Sequence, residues 1–465
     1  TWEDSMGSAD PIRAFVEGQQ NQWLDELKEL LRIPSVSTDP ARADQVDTAA
    51  EWLGGKLREA GCTEIEKWPT EGHPVIYGAW REAPGAPTLL VYGHYDVQPE
   101  EPVELWDTPP FNPTVREGKL FARGSADDKG QLYIHVKALQ AWLQTVGTCP
   151  VNVVFLIEGE EEVGSPNIEA VVREHQDRLQ CDAVMISDTV MFAAGLPSIT
   201  YSLRGLAFMQ LDVTGARGDL HSGSFGGAVV NPAEALARML ASCRNPDNGE
   251  ITVPGFYDDI VAITDAEREQ WNSLPFNKTK YREELGVDAL LKDADYGVLE
   301  RTWARPTFEV NGFLSGFTGE GSKTVLPAKA MAKISMRLVA NQDPEKIMNA
   351  TEDHLRALTP PGVRLKVTRM HGGKPWLTPC DHPVIQAAGR ALHRGFGTEP
   401  VFIREGGSIP LVALLEELFR APSVLMGIGL PDENAHAPNE NLDLGNFYAG
   451  IASAAFFFEE LGSLE

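Results

Sequence analysis

Five residues spread along the chain carry side chains that hold divalent metals without thiolates: His94, Asp127, Glu162, Asp188 and His436. Two imidazoles and three carboxylates suit Zn2+, Mn2+ or Co2+, and three carboxylates nearly balance the charge of two divalent ions. One ion needs only three protein ligands and a water, so five ligands point to two ions sharing a bridging carboxylate. Such a pair lies roughly 3.5–4 Å apart and holds a bridging hydroxide as nucleophile. Glu161, beside a ligand and not needed as one, then suits a general base. His94 stands in "TLLVYGHYDVQPEE" (88–101), two residues before Asp96, so on extended backbone both point to the same face. Alone, H-x-D is a weak signal. "GSADDKG" (124–130) and two further apolar runs ending in acid, "VNVVFLIEGEEEVGS" (151–165) and "DAVMISD" (182–188), strengthen it.

The apolar run at 88–92 has strand length, and helical spacing marks "QWLDELKELLR" (22–32), a stretch through Ala49, Ala50, Leu53 and Leu57 closed by Gly61, and "KGQLYIHVKALQAWLQTVG" (129–147). Strands alternating with helices predict an α/β sheet, and ligands of such sheets gather beyond the carboxyl ends of the strands. The character changes near residue 203. "RGLAFMQLDVTGARGD" and "AKAMAKISMRLV" (328–339) alternate like half-buried strands. "NPAEALARMLASCR" (231–244) reads as an N-capped helix, another helix falls around 344–357, and "GVRLKVT" (362–368) reads as a strand. "HGGKPW" (371–376) reads as a breaker. The expectation is a core domain in two pieces, 1–202 and 376–465, interrupted by an inserted domain at 203–375.

Forty Lys and Arg against 67 Asp and Glu leave a formal charge of -27. A chain this acidic repels phosphate backbones and anionic membrane surfaces, so neither nucleic acid nor a membrane is expected as a partner. The five cysteines are scattered and form no C-x-x-C pair, which argues against a disulfide framework or a thiolate zinc site. No charged-then-apolar leader is visible and no apolar run approaches the length of a membrane span, so cytoplasm is the expected setting. There is no G-x-S-x-G elbow, no H-E-x-x-H and no phosphate-binding G-x-x-x-x-G-K-[ST].

Taken together, "GHYDVQP", Trp106 to Phe111 as W-x-x-x-P-F, "ARGSADDKGQ", "IEGEEEVGS", "ISD", "LHSG", "REGGSIP" and "AHAPNE" follow the order of the M20 metallopeptidases. The chain resembles that family over nearly its whole length, most of all the carnosine dipeptidase and cytosolic non-specific dipeptidase branch. The resemblance implies a mixed-sheet α/β catalytic domain of the di-metal aminopeptidase type, with an inserted α+β, ferredoxin-like lid and dimerisation domain. It implies that His94 and Asp188 bind one metal, Glu162 and His436 the other, with Asp127 bridging. Asp96 would orient the first site, and a non-proline cis peptide would follow Asp127. Glu161 would shuttle the proton. His221 would reach the partner subunit's site to hold the oxyanion, Arg337 would bind the substrate's carboxylate, and Thr324, His371 and Ser408 would add substrate contacts.

The implied activity is hydrolysis of dipeptides or short peptides by a homodimer carrying two Zn2+ or Mn2+ ions per subunit, with Co2+ a further option. The same motifs leave open an N-acyl-amino-acid deacylase, a desuccinylase or a glutamate carboxypeptidase. A dimeric binding homologue without catalysis is the reading from another class, and the intact set of ligands and base argues against it. Without the family, His221 reads as a turn cap, Arg337 as an exposed sheet residue and the acidic run as a solvated turn.

Overall fold

The computed structural model describes residues 10–291 and 295–464. The chain divides into two compact units, Thr1–Tyr201 with Thr378–Ile403 and Leu414–Glu465, and Ser202–Leu377 with Arg404–Ala413.

In the first unit, helix α1 (Pro11–Leu31) starts where the Asp10 carboxylate accepts the Ile12 N–H at 3.0 Å and Pro11 takes the first turn, where its missing N–H costs nothing. It begins well before the amphipathic stretch at 22–32. Helix α2 (Ala43–Ala60) ends at Gly61, whose φ of +111° is the left-handed cap expected of it. Five further elements carry or frame the chemistry: strands β1 (Glu64–Trp68), β2 (Val75–Trp80) and β3 (Thr88–His94), helix α3 (Lys129–Thr145), and strand β4 (Asn152–Glu158). Strands β5 (Ala183–Ile186) and β6 (Ser198–Leu203), helix α4 (Pro383–Phe396), strand β7 (Ser423–Leu425) and helix α5 (Leu444–Gly462) follow.

Among the described residues the sheet has nine strands: the order β1-β2-β4-β3-β5-β7-β6 continues to Trp376–Leu377, and Val401–Glu405 also pairs with β6. β3, β4, β5 and β7 are parallel neighbours, while β1, β2 and β6 pair antiparallel, which makes the sheet mixed. Strands β3, β4 and β5 are buried on both faces, as parallel strands covered on both sides must be. Leu89, Val91, Val153 and Phe155 join one core with Trp23 and Leu27 of α1, Leu53 of α2, Leu132 and Leu139 of α3, and Phe456 and Phe457 of α5. Edge strand β1 carries Glu64, Glu66 and Lys67, and Arg178 reaches Glu64 at 2.9 Å and Glu66 at 2.6 Å.

The second unit centres on a four-stranded antiparallel sheet in the order Glu309–Ser315, Lys329–Leu338, Gly205–Thr214, Arg364–Gly373. Strict alternation buries Ala207, Met209, Leu211 and Val213 on the face that also buries Ile334 and Met336, against the helices Pro232–Ala241 and Pro344–Ala357. Two features differ from the sequence reading. The last strand runs through His371 to Gly373, because a register shift between Arg369 and Gly372 absorbs the irregular pairing, and the chain breaks only at Lys374 and Pro375. Residues 404–413 pack in this unit rather than with the closing stretch 376–465. Arg404 is buried, pairs with Glu267 and lies 5.4 Å from the Trp271 ring, and the Arg204 Nε–H donates to the Gly406 carbonyl at 3.1 Å. Among the described residues no helix is long and apolar enough to cross a membrane.

Candidate metal centre

Parallel pairing puts Tyr92 opposite Ile186 and His94 opposite Glu158, so β3, β4 and β5 finish together. His94 is the last residue of β3. The acidic turn Glu161–Val163 follows β4, Asp188 follows β5, and Asp127 immediately precedes the start of α3 at Asp128 and Lys129. The peptide between Asp127 and Asp128 is cis, as the resemblance implied. Close approach requires glycine at position 93, where a Cβ would stand 2.8 Å from both Asp128 Oδ2 and Leu132 Cδ1.

Two clusters of donor atoms share one carboxylate: His94 with Asp127 and Asp188, and Asp127 with Glu162 and His436. His94 Nε2 lies 3.1 Å from Asp127 Oδ1 and 3.9 Å from Asp188 Oδ2. His436 Nε2 lies 2.9 Å from Asp127 Oδ2 and 3.2 Å from Glu162 Oε2. Asp127 thus turns one oxygen to each histidine.

The surrounding contacts hold these groups in place. The other imidazole nitrogen of His94, Nδ1, faces the Asp96 carbonyl at 3.1 Å and its Oδ1 at 3.3 Å, which leaves Nε2 for the cluster. Asp96 is wholly buried, and its two oxygens accept the N–H groups of Glu161 at 3.2 Å and Glu162 at 3.1 Å. One carboxylate therefore sets His94 and the acidic turn together.

Sequence reasoning missed two participants. Gln98 donates to Glu162 Oε2 at 2.7 Å, and Asp128 Oδ2 accepts the His94 N–H at 3.2 Å. Gln98 sits inside "HYDVQP", so the motif contained it, but only the fold shows what it touches.

Electrostatics identify what this cluster lacks. Burial, reinforced by the charge of Asp127, pushes Asp188 well above the usual carboxylate range. Burial likewise drives Glu161 up to about 7, with His94 pulling the other way and Glu162 and Asp127 adding to the rise. Burial disfavours ionised Asp127 too, yet His436 and His94 outweigh it and hold that carboxyl well below the usual range. His436 is raised to about 10 by Asp127 and Glu162. For His94, burial opposes charge, but Asp127 and Asp96 prevail and hold its pKa well above the ordinary value. Crowded acids thus demand positive charge, which protons on the imidazoles can supply and divalent cations would supply in their place. Glu162 Oε1 is buried with no hydrogen-bond partner, a free lone pair that fits a metal ligand. The donor set, N and O without sulfur, fits Zn2+ or Mn2+.

The remaining candidates belong to the second unit. His221 is exposed, and its Nδ1 accepts the Gly223 N–H at 3.1 Å, the turn-capping contact that the plainer reading anticipated. The neighbouring pair His221–Val325 brings Thr324 alongside, its carbonyl accepting the Ser222 N–H at 3.0 Å. Arg337 Nη1 donates to Ser408 Oγ at 2.7 Å, and Ser408 donates to the Arg204 carbonyl at 2.5 Å. Neither Arg337 nor Arg204 has a carboxylate within salt-bridge distance among the described residues. Burial, joined by the charge of Arg337, lowers the pKa of Arg204 to about 10. His371 lies on the strand Arg364–Gly373, and its side chain is outside the described residues.

Comparison with known proteins follows the same lines. The model of peptidase family M20/M25/M40 matches residues 90–460. The chain is 32% identical to the Cys-Gly metallodipeptidase dug1 of Schizosaccharomyces pombe, over 98% of this chain and 99% of that protein. It is 33% identical to the Beta-Ala-His dipeptidase of Homo sapiens, over 97% of this chain and 92% of the other. Among solved structures, the M20 family metallo-carboxypeptidase Sso-CP2 from Sulfolobus solfataricus superposes with a TM-score of 0.83 at 32% identity, covering 95% of this chain and 99% of that one.

Proposed function

Since the chain belongs to peptidase family M20/M25/M40, we propose that it is a metal-dependent exopeptidase hydrolysing dipeptides or short peptides. The observation that carries this reading is the Asp127 carboxylate shared between two histidine–carboxylate clusters, with Glu161 alongside.

His94 and Asp188 would hold one divalent ion, Glu162 and His436 the other, and Asp127 would serve both. Bound Zn2+ or Mn2+ supplies Lewis-acid polarisation of the scissile carbonyl and acidifies water. Glu161 takes the proton from the attacking water and returns it to the leaving amine. Burial of its carboxyl favours the protonated form more than water would, which helps it hold the proton between the two transfers. Asp96 fixes the backbone of that base through the Glu161 N–H.

Arg337 binds the substrate's terminal carboxylate, a role supported by its having no salt-bridged acid among the described residues, and Ser408 orients the guanidinium. Thr324 and His371 add substrate contacts. At His221 the Gly223 N–H occupies Nδ1, so Nε2 carries the hydrogen and is the atom available to donate to an oxyanion.

The reading includes a homodimer in which His221 serves the partner's site. The edge strand Glu309–Ser315, with Val310, Phe313 and Leu314 exposed, supports such an association. It also includes a cytoplasmic setting, supported by five cysteines that form no disulfide among the described residues.

The test is release of free amino acids by protein reconstituted separately with Zn2+ and Mn2+, from unblocked dipeptides, carboxyl-amidated dipeptides, N-acyl amino acids and longer peptides. Cleavage of unblocked dipeptides, lost on amidation and lost in Glu161→Gln with metal still bound, is expected. Cleavage of acyl amino acids alone would move the protein to the deacylases, and trimming of longer peptides from the carboxyl end would favour a carboxypeptidase.

A further inference from the structure

Glu440 closes the motif that contains His436, yet it belongs to neither ligand cluster. Its side chain is wholly buried and accepts four hydrogen bonds: from Arg123 Nη1 at 2.7 Å, Gly124 N at 3.0 Å, Ala126 N at 3.0 Å and Asp127 N at 3.1 Å. The segment 436–440 therefore grips Asp127 twice. His436 meets its carboxylate at 2.9 Å, and Glu440 holds its backbone N–H. The grip continues into a ladder, because the Glu440 carbonyl accepts the Ala122 N–H at 3.1 Å and Asn441–Asp443 pairs with Lys119–Phe121.

Asp127 can serve two clusters only while one oxygen faces His94 and the other faces His436. A small rotation of its backbone would turn one oxygen away from its histidine. Resting on the two-metal reading above, we propose that Glu440 is the positioning residue that keeps Asp127 in its bridging pose, so that the second ion binds beside the first. An ordinary staple between distant segments would need only the Arg123 pair. Three backbone N–H groups converging on the same carboxylate, one of them the bridging residue's own, point to the narrower role.

Two variants test this. Glu440→Gln keeps the volume and removes the charge. Glu440→Asp keeps the charge beside Arg123 and withdraws it from the Ala126 and Asp127 N–H groups. Each is titrated with Mn2+ as the metal probe and followed by electron paramagnetic resonance and by thermal melting without metal. The parent is expected to show an exchange-coupled pair. The variants are expected to melt cooperatively without metal, take one ion near parent affinity, bind the second about 10–100-fold more weakly and show the spectrum of isolated ions.

A coupled pair at parent affinity in a folded variant would overturn the inference, as would equal weakening of both ions. If Glu440→Gln does not fold, Glu440→Asp decides. If neither folds, Glu440 is a staple of the fold and the inference fails. A parent that takes a single ion would instead refute the two-metal reading beneath it.

Discussion

Replacing Asp96 by Asn separates orientation from ligation, because Asp96 supplies no atom to either cluster. Its two oxygens each accept one N–H, from Glu161 at 3.2 Å and Glu162 at 3.1 Å, and Oδ1 also lies 3.3 Å from His94 Nδ1. An amide offers one oxygen and one NH2, so whichever way it turns, a donor confronts a donor. One buried N–H left unpaired costs about 1–3 kcal/mol, and the bond that survives loses its charge assistance. On the proposed reading, that cost falls on the backbone of the base, Glu161, and of a metal ligand, Glu162. A change in the groups that orient metal ligands weakens metal binding about 10–100-fold. At about 1.4 kcal/mol per tenfold, this matches the cost of the lost hydrogen bond. The expected outcome is a metal affinity lower by that factor and a larger fall in turnover, since Glu161 is displaced as well. Competition for Zn2+ with a chromogenic chelator measures the first, turnover at saturating metal the second, and melting of the metal-free protein controls for stability. Parent-like affinity and turnover in a variant whose metal-free form is merely less stable would refute the argument and leave Asp96 serving the fold alone.

Three further outcomes are expected. Gly130→Ala would place a Cβ 1.9 Å from the Ser125 carbonyl oxygen and 2.7 Å from Leu442 Cδ2. Backbone must then move, at a cost of about 1–3 kcal/mol or more, and an unchanged melting temperature would contradict the packing described at the start of α3. His135 is wholly buried, with Nε2 2.7 Å from Ser187 Oγ and Nδ1 unpartnered, and burial pushes its pKa down to about 3. The unfolded chain binds this proton at about pH 6.5 and the folded protein does not, so between the two values stability falls as pH falls, by about 1.4 kcal/mol per pH unit. Urea unfolding across that range should show His135→Gln losing less stability than the parent on acidification, and parallel curves would exclude the effect. Stripping metal with a chelator should abolish hydrolysis and lower the melting temperature, both reversed by Zn2+ or Mn2+. Saturating metal at about a hundredfold over its dissociation constant corresponds to about 2.7 kcal/mol of stabilisation.

The legible parts of the molecule were those written locally. His94 and Asp188 declare themselves because each follows a run of apolar residues, and parallel strands bring such ends together. The inserted sheet was equally plain, since alternation over Lys329–Leu338 and Gly205–Thr214 has one physical meaning. The start of α1 was missed because Glu17, Gln19, Gln20 and Asn21 interrupt the apolar stripe, although Asp10 and Pro11 are sound start signals. The strand through His371 was cut short because paired glycines ordinarily end strands, and a bulge instead kept them in register. The placement of residues 404–413 depends on the buried Arg404–Glu267 pair, a contact that no local pattern encodes. Gln98 and Glu440 lay within motifs already singled out, but their tasks are set by partners remote in sequence.

That remoteness bears on biosynthesis. The Arg123–Glu440 bond joins residues 317 positions apart, and His436 meets Asp127 across a similar stretch of chain. A ribosome releases residues in order, so strands β3 to β5 and four of the five candidate ligands, His94, Asp127, Glu162 and Asp188, exist long before His436 and Glu440 emerge. During that interval the cluster of His94, Asp127 and Asp188 has all its members, while that of Asp127, Glu162 and His436 still lacks its histidine. Contacts of such long range also slow the search for the native state, because the loop must close before they contribute. On the two-metal reading, the second ion's site is thus completed only after residues 436–440 have been made, and a chain stalled before residue 436 is expected to bind that ion weakly.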